Sequence, residues 1–182
     1  SVLLRDWREE WAGHDLASYI IAGLSVRRGL NKAMDHLEYC VENGISIREE
    51  DVYNIHMNTI NDFFDAYNVP LVFEEYFANL HSGNRFESPS CYKENYYITK
   101  TNNTVKYDTG IRIYDQWGYL RGVSDIARTS SFYEDARKVN KIFEDIMHNV
   151  GIPTAKVGNT GNDIYMAACT AINEHFDYLK SI

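Results

Sequence analysis

The sequence predicts an α+β fold: a mainly helical single domain in which a central antiparallel β-meander lies between an N-terminal three-helix half and a C-terminal helix pair. Three observations carry this. The residue pattern changes from helical to alternating period only between Tyr96 and Val123. Apolar stripes at three- and four-residue spacing fill both flanks. A length of 182 residues, with 45% hydrophobic and 24% charged content, suits one domain with a core of its own. The expected divisions are helical 1–83, sheet 95–123 and helical 130–182.

Each element has its own signal. Leu4, Trp7 and Trp11 give a short amphipathic N-terminal helix. From Asp15 to Asn43 the positions Leu16, Ile20, Leu24, Leu30, Met34, Leu37 and Val41 make one long helix, with Gly44 placed to end it. Gly23 and Gly29 inside it predict either a break near Gly29 or a close helix crossing there. Ser46 to Glu49 has the form of a capping box, which starts a second helix near Ile47 with the stripe Val52, Ile55, Thr59, Phe63 and Tyr67. After Pro70, the spacing of Phe73, Phe77 and Leu80 predicts a third helix ending by Gly83, and residues 84–94 form a loop.

In the middle, Tyr96 to Thr99 and Val105 to Thr109 alternate about a turn at Asn102 and Asn103, which predicts a hairpin. Gly110 resets the chain, and Ile111 to Tyr114 returns as Tyr119 to Val123 through a turn at Asp115-Gln116-Trp117-Gly118. The C-terminal pair follows. Ser131 and Glu134 form a second capping box before the stripe Phe132, Ala136, Val139, Phe143, Ile146 and Val150, expected to be core. Gly158 to Asp163 introduces the last helix, which carries Ile164, Ala168, Ile172 and Leu179.

Charge narrows the functional classes. The net charge is −8, and residues 1–90 hold seven basic against fifteen acidic side chains, whereas the sheet region 91–128 is slightly basic. Acidic helices argue against gripping duplex nucleic acid, since phosphate contacts need clustered Lys and Arg, and they permit a basic protein partner. Cys40, Cys91 and Cys169 form no CxxC pair and suggest no disulfide framework. No apolar run approaches the ~20 residues of a membrane span, and the start lacks a signal-peptide centre, so the expected setting is cytoplasmic or virion-associated, not secreted and not membrane.

Motifs for chemistry are thin. His36 and Cys40 share a helix face but supply two ligands where zinc needs three or four. His14-Asp15 lacks the upstream histidine of a phosphohydrolase dyad, and Asp145 with His148 has the spacing of a di-iron helix without its companions. The GNTGND loop beside Lys156 could cradle phosphate, but a capped turn explains it better. No catalytic residue, metal ligand or cofactor is therefore assigned.

The sheet instead offers Arg112, Tyr114, Trp117, Tyr119 and Arg121 around an exposed turn, and the N-terminal helix offers Trp7 and Trp11. Expected is a non-enzymatic protein-binding or assembly protein, such as a small acidic inhibitor, an immunity-like factor or a viral accessory or structural subunit, that binds a protein partner or itself. Two alternatives stand beside it. One is a single-stranded nucleic-acid regulator using Tyr96, Tyr97, Tyr107, Tyr114, Trp117 and Tyr119 with Lys100, Lys106, Arg112 and Arg121. The other is a small metal-dependent hydrolase.

Overall fold

The computed structural model describes residues 13–87, 92–102 and 104–182, and it divides into two compact units, 1–130 and 131–182. The chain is mixed α+β, with antiparallel sheets and more helix than strand. The expected helix carrying Trp7 and Trp11 lies outside the described residues.

In the first unit, α1 (Gly13–Glu42) runs thirty residues without a break. Gly44 follows it at φ +70, the left-handed position the sequence assigned to it. Gly29 marks a crossing. A Cβ there would stand 2.8 Å from His56 Nδ1 and 2.9 Å from the His56 carbonyl, both on α2 (Glu49–Ala66). The start of α2 departs from expectation, because the Arg48 N–H donates to Asp51 Oδ2 (2.9 Å) and Ser46 stays outside. Ile47–Arg48 forms a short strand, β1.

The predicted third helix is a strand. Val72–Ser82 forms β2, which pairs antiparallel along its length with β4 (Thr104–Tyr114). A bulge at Tyr76 explains the misreading. It shifts the side-chain alternation, so Phe73 before it and Ala78 and Leu80 after it all face the helices. The stripe Phe73, Phe77 and Leu80 therefore does not share one face: Phe77 lies opposite Gly110, on the side of Asp108 and Arg112.

The first predicted hairpin does not form either. Tyr97–Ile98, here β3, pairs with β1 instead, Ile47 opposite Ile98 with both buried, and the Glu49 N–H donates to the Tyr96 carbonyl (3.0 Å). Gly110 does not reset the chain but lies inside β4, where a Cβ would collide with the Ser124 carbonyl and the rings of Tyr76 and Phe77. The second hairpin forms as expected, with β5 (Leu120–Val123) returning on β4, and β6 (Ile126–Ser131) also pairs with β4.

One sheet face, with Val105, Tyr107, Thr109, Ile111 and Ile113, is buried together with Ala22, Val26, Ile60 and Phe64 of the helices. Polar groups pin this core. Glu49, fully buried, accepts from Ser82 Oγ (2.9 Å), from the Glu94 N–H (2.9 Å) and from Arg85, with which it forms an ion pair. Arg128 of β6 reaches Asp35 (2.7 Å) and Glu38 (3.1 Å) on α1.

The second unit comprises α3 (Glu134–Ile146), a π-type turn at Met147–Gly151, a short turn at Ile152–Thr154, α4 (Gly161–Asn173) and α5 (Phe176–Ser181). Helix α3 is amphipathic, yet Ile146 is its one buried residue and Phe143 is 46% exposed, so the expected core role of Phe143 does not hold. Ser131 does not cap α3. Its carbonyl and hydroxyl oxygens accept from Arg137 Nε and Asn140 Nδ2 (2.8 Å each). Among the described residues no helix is long and apolar enough to cross a membrane.

Candidate functional site

The β4–β5 turn is built by Asp115. Its backbone closes the loop, the N–H donating to the Tyr119 carbonyl (3.0 Å) and the carbonyl accepting from the Gly118 N–H (2.9 Å), with Gly118 at φ +80. Its carboxylate fixes the rest. Oδ1 accepts from the N–H groups of Trp117 (2.9 Å) and Tyr119 (3.0 Å), and Oδ2 accepts from Arg121 Nε (2.8 Å) and Nη2 (2.7 Å). Desolvation opposes the charge, but the Tyr119 N–H, the Arg121 guanidinium and the Trp117 N–H outweigh it and hold this carboxyl below its ordinary range.

The consequence is a rigid tip carrying large exposed side chains. Trp117 is 71% exposed and Tyr119 65%. Across the sheet, Val72 opposes Tyr114, and Tyr114 opposes Leu120, so one row at this end carries Val72 (65% exposed), Tyr114 and Leu120 (52%). The Tyr114 hydroxyl donates to Glu74 (2.9 Å), while Arg112, one row inward, lies 4.8 Å over the Tyr76 ring. The guanidinium of Arg121 stands 5.9 Å from the Tyr119 ring centre.

Two further elements reach the same end. Gly122 abuts the backbone of Ser18 and Tyr19, which brings the start of α1 here, while Leu16 and Ile20 are exposed on the helix side away from the buried Ser18 and Ala22. Helix α2 ends at Ala66, six residues before Val72. Tyr67 is 63% exposed with its ring 4.8 Å from Phe63, and Asp62 and Asp65 are exposed, Asp62 in a groove it shares with Arg28 and Lys32. The last turn of α2 contains no basic residue.

The structure thus gathers Arg112, Tyr114, Trp117, Tyr119 and Arg121 at one end, while Trp7 and Trp11 lie outside the described residues. Val72 and Leu120 join them unforeseen. Val72 was hidden by the helical reading of β2, and Leu16 and Ile20 look like core on spacing alone. The wider aromatic and basic platform is not one surface: Tyr107 is fully buried, and Tyr97 lies on β3, hydrogen-bonded to Arg48 (2.6 Å).

Other sequence candidates are structural. His36 Nε2 lies 3.4 Å from Cys40 Sγ, and burial, then Asp51, pushes that thiol's pKa up. Thr160 caps α4, accepting from the Asp163 N–H (3.3 Å), and the Asp163 carboxylate takes the Thr160 N–H (2.6 Å), an amide the GNTGND loop would need for phosphate. Cys91 lies outside the described residues. Among the described residues no three His, Cys, Asp or Glu side chains gather closely enough to hold a metal ion.

No protein-family model matches the sequence, and no curated protein matches it. A solved structure does: the N-terminal domain of FACT complex subunit SPT16 from Eremothecium gossypii, with TM-score 0.60 and 17% identity over 93% of this chain. The likeness is one of fold. This chain spans 41% of that one.

Proposed function

We propose that this chain is a non-enzymatic protein-binding module that docks a partner protein, or a second copy of itself, on the end of the first unit around Trp117. The observation that carries this is the Asp115 carboxylate, which holds Trp117 and Tyr119 outward before any partner arrives. Side chains fixed in advance lose little freedom on binding, and aromatic residues dominate interface energies. The fold likeness to a domain of a complex subunit supports the same reading. The slight basic surplus of the sheet region is too thin to favour the nucleic-acid alternative.

The test is a titration with purified components, using a partner enriched on the wild-type chain or, for self-association, sedimentation equilibrium. Trp117→Ala should leave unfolding stability within roughly 0.5 kcal/mol and weaken association by about 2 kcal/mol or more. Equal affinity in the variant overturns the proposal.

A hydrolase is the second reading, and one observation favours it. Burial, Asp125 and Asp108 all raise the pKa of the Tyr76 phenol, with Arg112 opposing, so two carboxylates lie near one ring. The strand register places Asp108 beside Asn79 and Lys106 beside His81 on the face turned away from the helices. Hydrolysis of a chromogenic ester or peptide, abolished by Asp108→Asn, would promote this reading.

A further inference from the structure

A second site, sharing no residue with the Trp117 turn, lies in the groove between α1 and α2 beside the Gly29 crossing. Arg28 and Lys32 form one wall from α1, Thr59 and Asp62 form the other from α2, and Phe63 and Ala66 line it beside them, around a cavity of about 350 Å³. Ligand cavities run from roughly 300 to 1,000 Å³, so this one suits a small molecule. The two walls are opposite in hydrogen-bonding character. Arg28 and Lys32, one helical turn apart and both exposed, can only donate. Asp62 can only accept, and so can Thr59, which is buried with its hydroxyl hydrogen already given to the Ile55 carbonyl (2.7 Å). The walls do not satisfy each other: among the described residues, none of Arg28, Lys32 and Asp62 has an ion-pair partner. Their separation is set by the crossing, since Gly29 adjoins Arg28 and packs on the His56 backbone one turn before Thr59. A site held open in advance costs little to fill.

We infer that this groove binds a small zwitterion of the dipeptide class, with a carboxylate at one end, an ammonium at the other and an apolar body between them. The carboxylate takes both cations of α1, and the ammonium donates to Asp62 and Thr59. The apolar body lies on Phe63, which is half-buried with its ring against Tyr67 (4.8 Å). A ligand of one sign fits worse. A phosphate drawn to Arg28 and Lys32 faces the Asp62 carboxylate on the opposite wall, and a simple cation drawn to Asp62 faces two positive charges. The site stands apart from the Trp117 proposal and needs no partner protein.

The probe is the dipeptide Ala-Phe, titrated into the full chain in phosphate-free buffer and followed by calorimetry and by the amide shifts of Thr59 and Phe63. N-acetyl-Ala-Phe and Ala-Phe amide each lack one of its charges. Ala-Phe should bind with a dissociation constant of about 1 mM or tighter, and blocking either end should weaken it about fivefold or more, the worth of one good ion pair at a partly exposed site. Arg28→Gln with Lys32→Gln should abolish the discrimination against the amide and keep that against the acetylated form, and Asp62→Asn should do the reverse. All three side chains are exposed, so these variants keep the fold. Trp117→Ala should change none of these affinities. Absence of Ala-Phe binding, blocked forms that bind as tightly as the free dipeptide, or inorganic phosphate that binds more tightly would each overturn the zwitterion site and leave the Trp117 proposal standing. Discrimination that survives in the variants, or is lost in Trp117→Ala, would place the dipeptide elsewhere and overturn the site as well.

Discussion

Arg85 is the side chain on which the buried charge of Glu49 depends. With that carboxylate fully buried and the guanidinium only slightly exposed, Arg85→Ala strands an anion in the core, and urea unfolding should show a loss of about 3 to 5 kcal/mol. His56 is the second residue of this kind. It is buried with its ring edge-on to Tyr107 (5.1 Å), and neither ring nitrogen makes a hydrogen bond of good geometry. Burial pushes its pKa down to about 4 from 6.5, only partly offset by the nearby Gly29 backbone. The folded chain therefore keeps His56 neutral where the unfolded chain protonates it. Its contribution is fully present above pH 6.5, declines as pH falls towards 4, and amounts to about 3 kcal/mol across that window. His56→Leu should flatten the wild-type fall in stability between pH 6.5 and 4, and an unchanged slope would show that other groups govern it. Neither residue announced itself in the sequence. Glu49 looked like half of a capping box, and nothing local to His56 reveals that Gly29 and Tyr107 enclose it.

At the scale of elements, the two glycines of α1 separate crossing from open space. A Cβ at Gly29 would press on His56, whereas at Gly23 it would meet nothing within 4 Å. Gly29→Ala should destabilise by about 1 to 3 kcal/mol, and Gly23→Ala should stabilise by up to about 1 kcal/mol. Thermal unfolding of the pair decides it, and equal shifts would mean that the helices do not touch at Gly29. The long helix and its glycine stop were legible because 3.6-residue periodicity and αL geometry are local properties. The Trp117 turn was legible for the same reason, with Asp and Gly set where the turn requires them. Strand β2 was not, since its register depends on a partner thirty residues away and on a bulge that disguises its alternation. The same non-local choice sent Tyr97 and Ile98 to β1 rather than to the neighbouring strand.

Across the whole molecule, the sequence announced mixed α+β architecture and five side chains of the hairpin, but not the assembly of that end from α1, the α2–β2 connection and β5. Stripes tell which residues want cover and not whether they receive it, and Phe143 and Ile20 carry equally good stripes yet stay exposed. The unbroken course of α1 has a mechanical meaning. Thirty residues at 1.5 Å each make a strut of about 45 Å, held near its midpoint where Gly29 meets α2 and abutting β5 at one end. Such a strut transmits position and does not absorb it. Donor and acceptor dyes placed at Ala17 and Tyr39 should report one fixed separation whether or not the Trp117 end is occupied, and a distance that shortens on binding would reveal a hinge at Gly29.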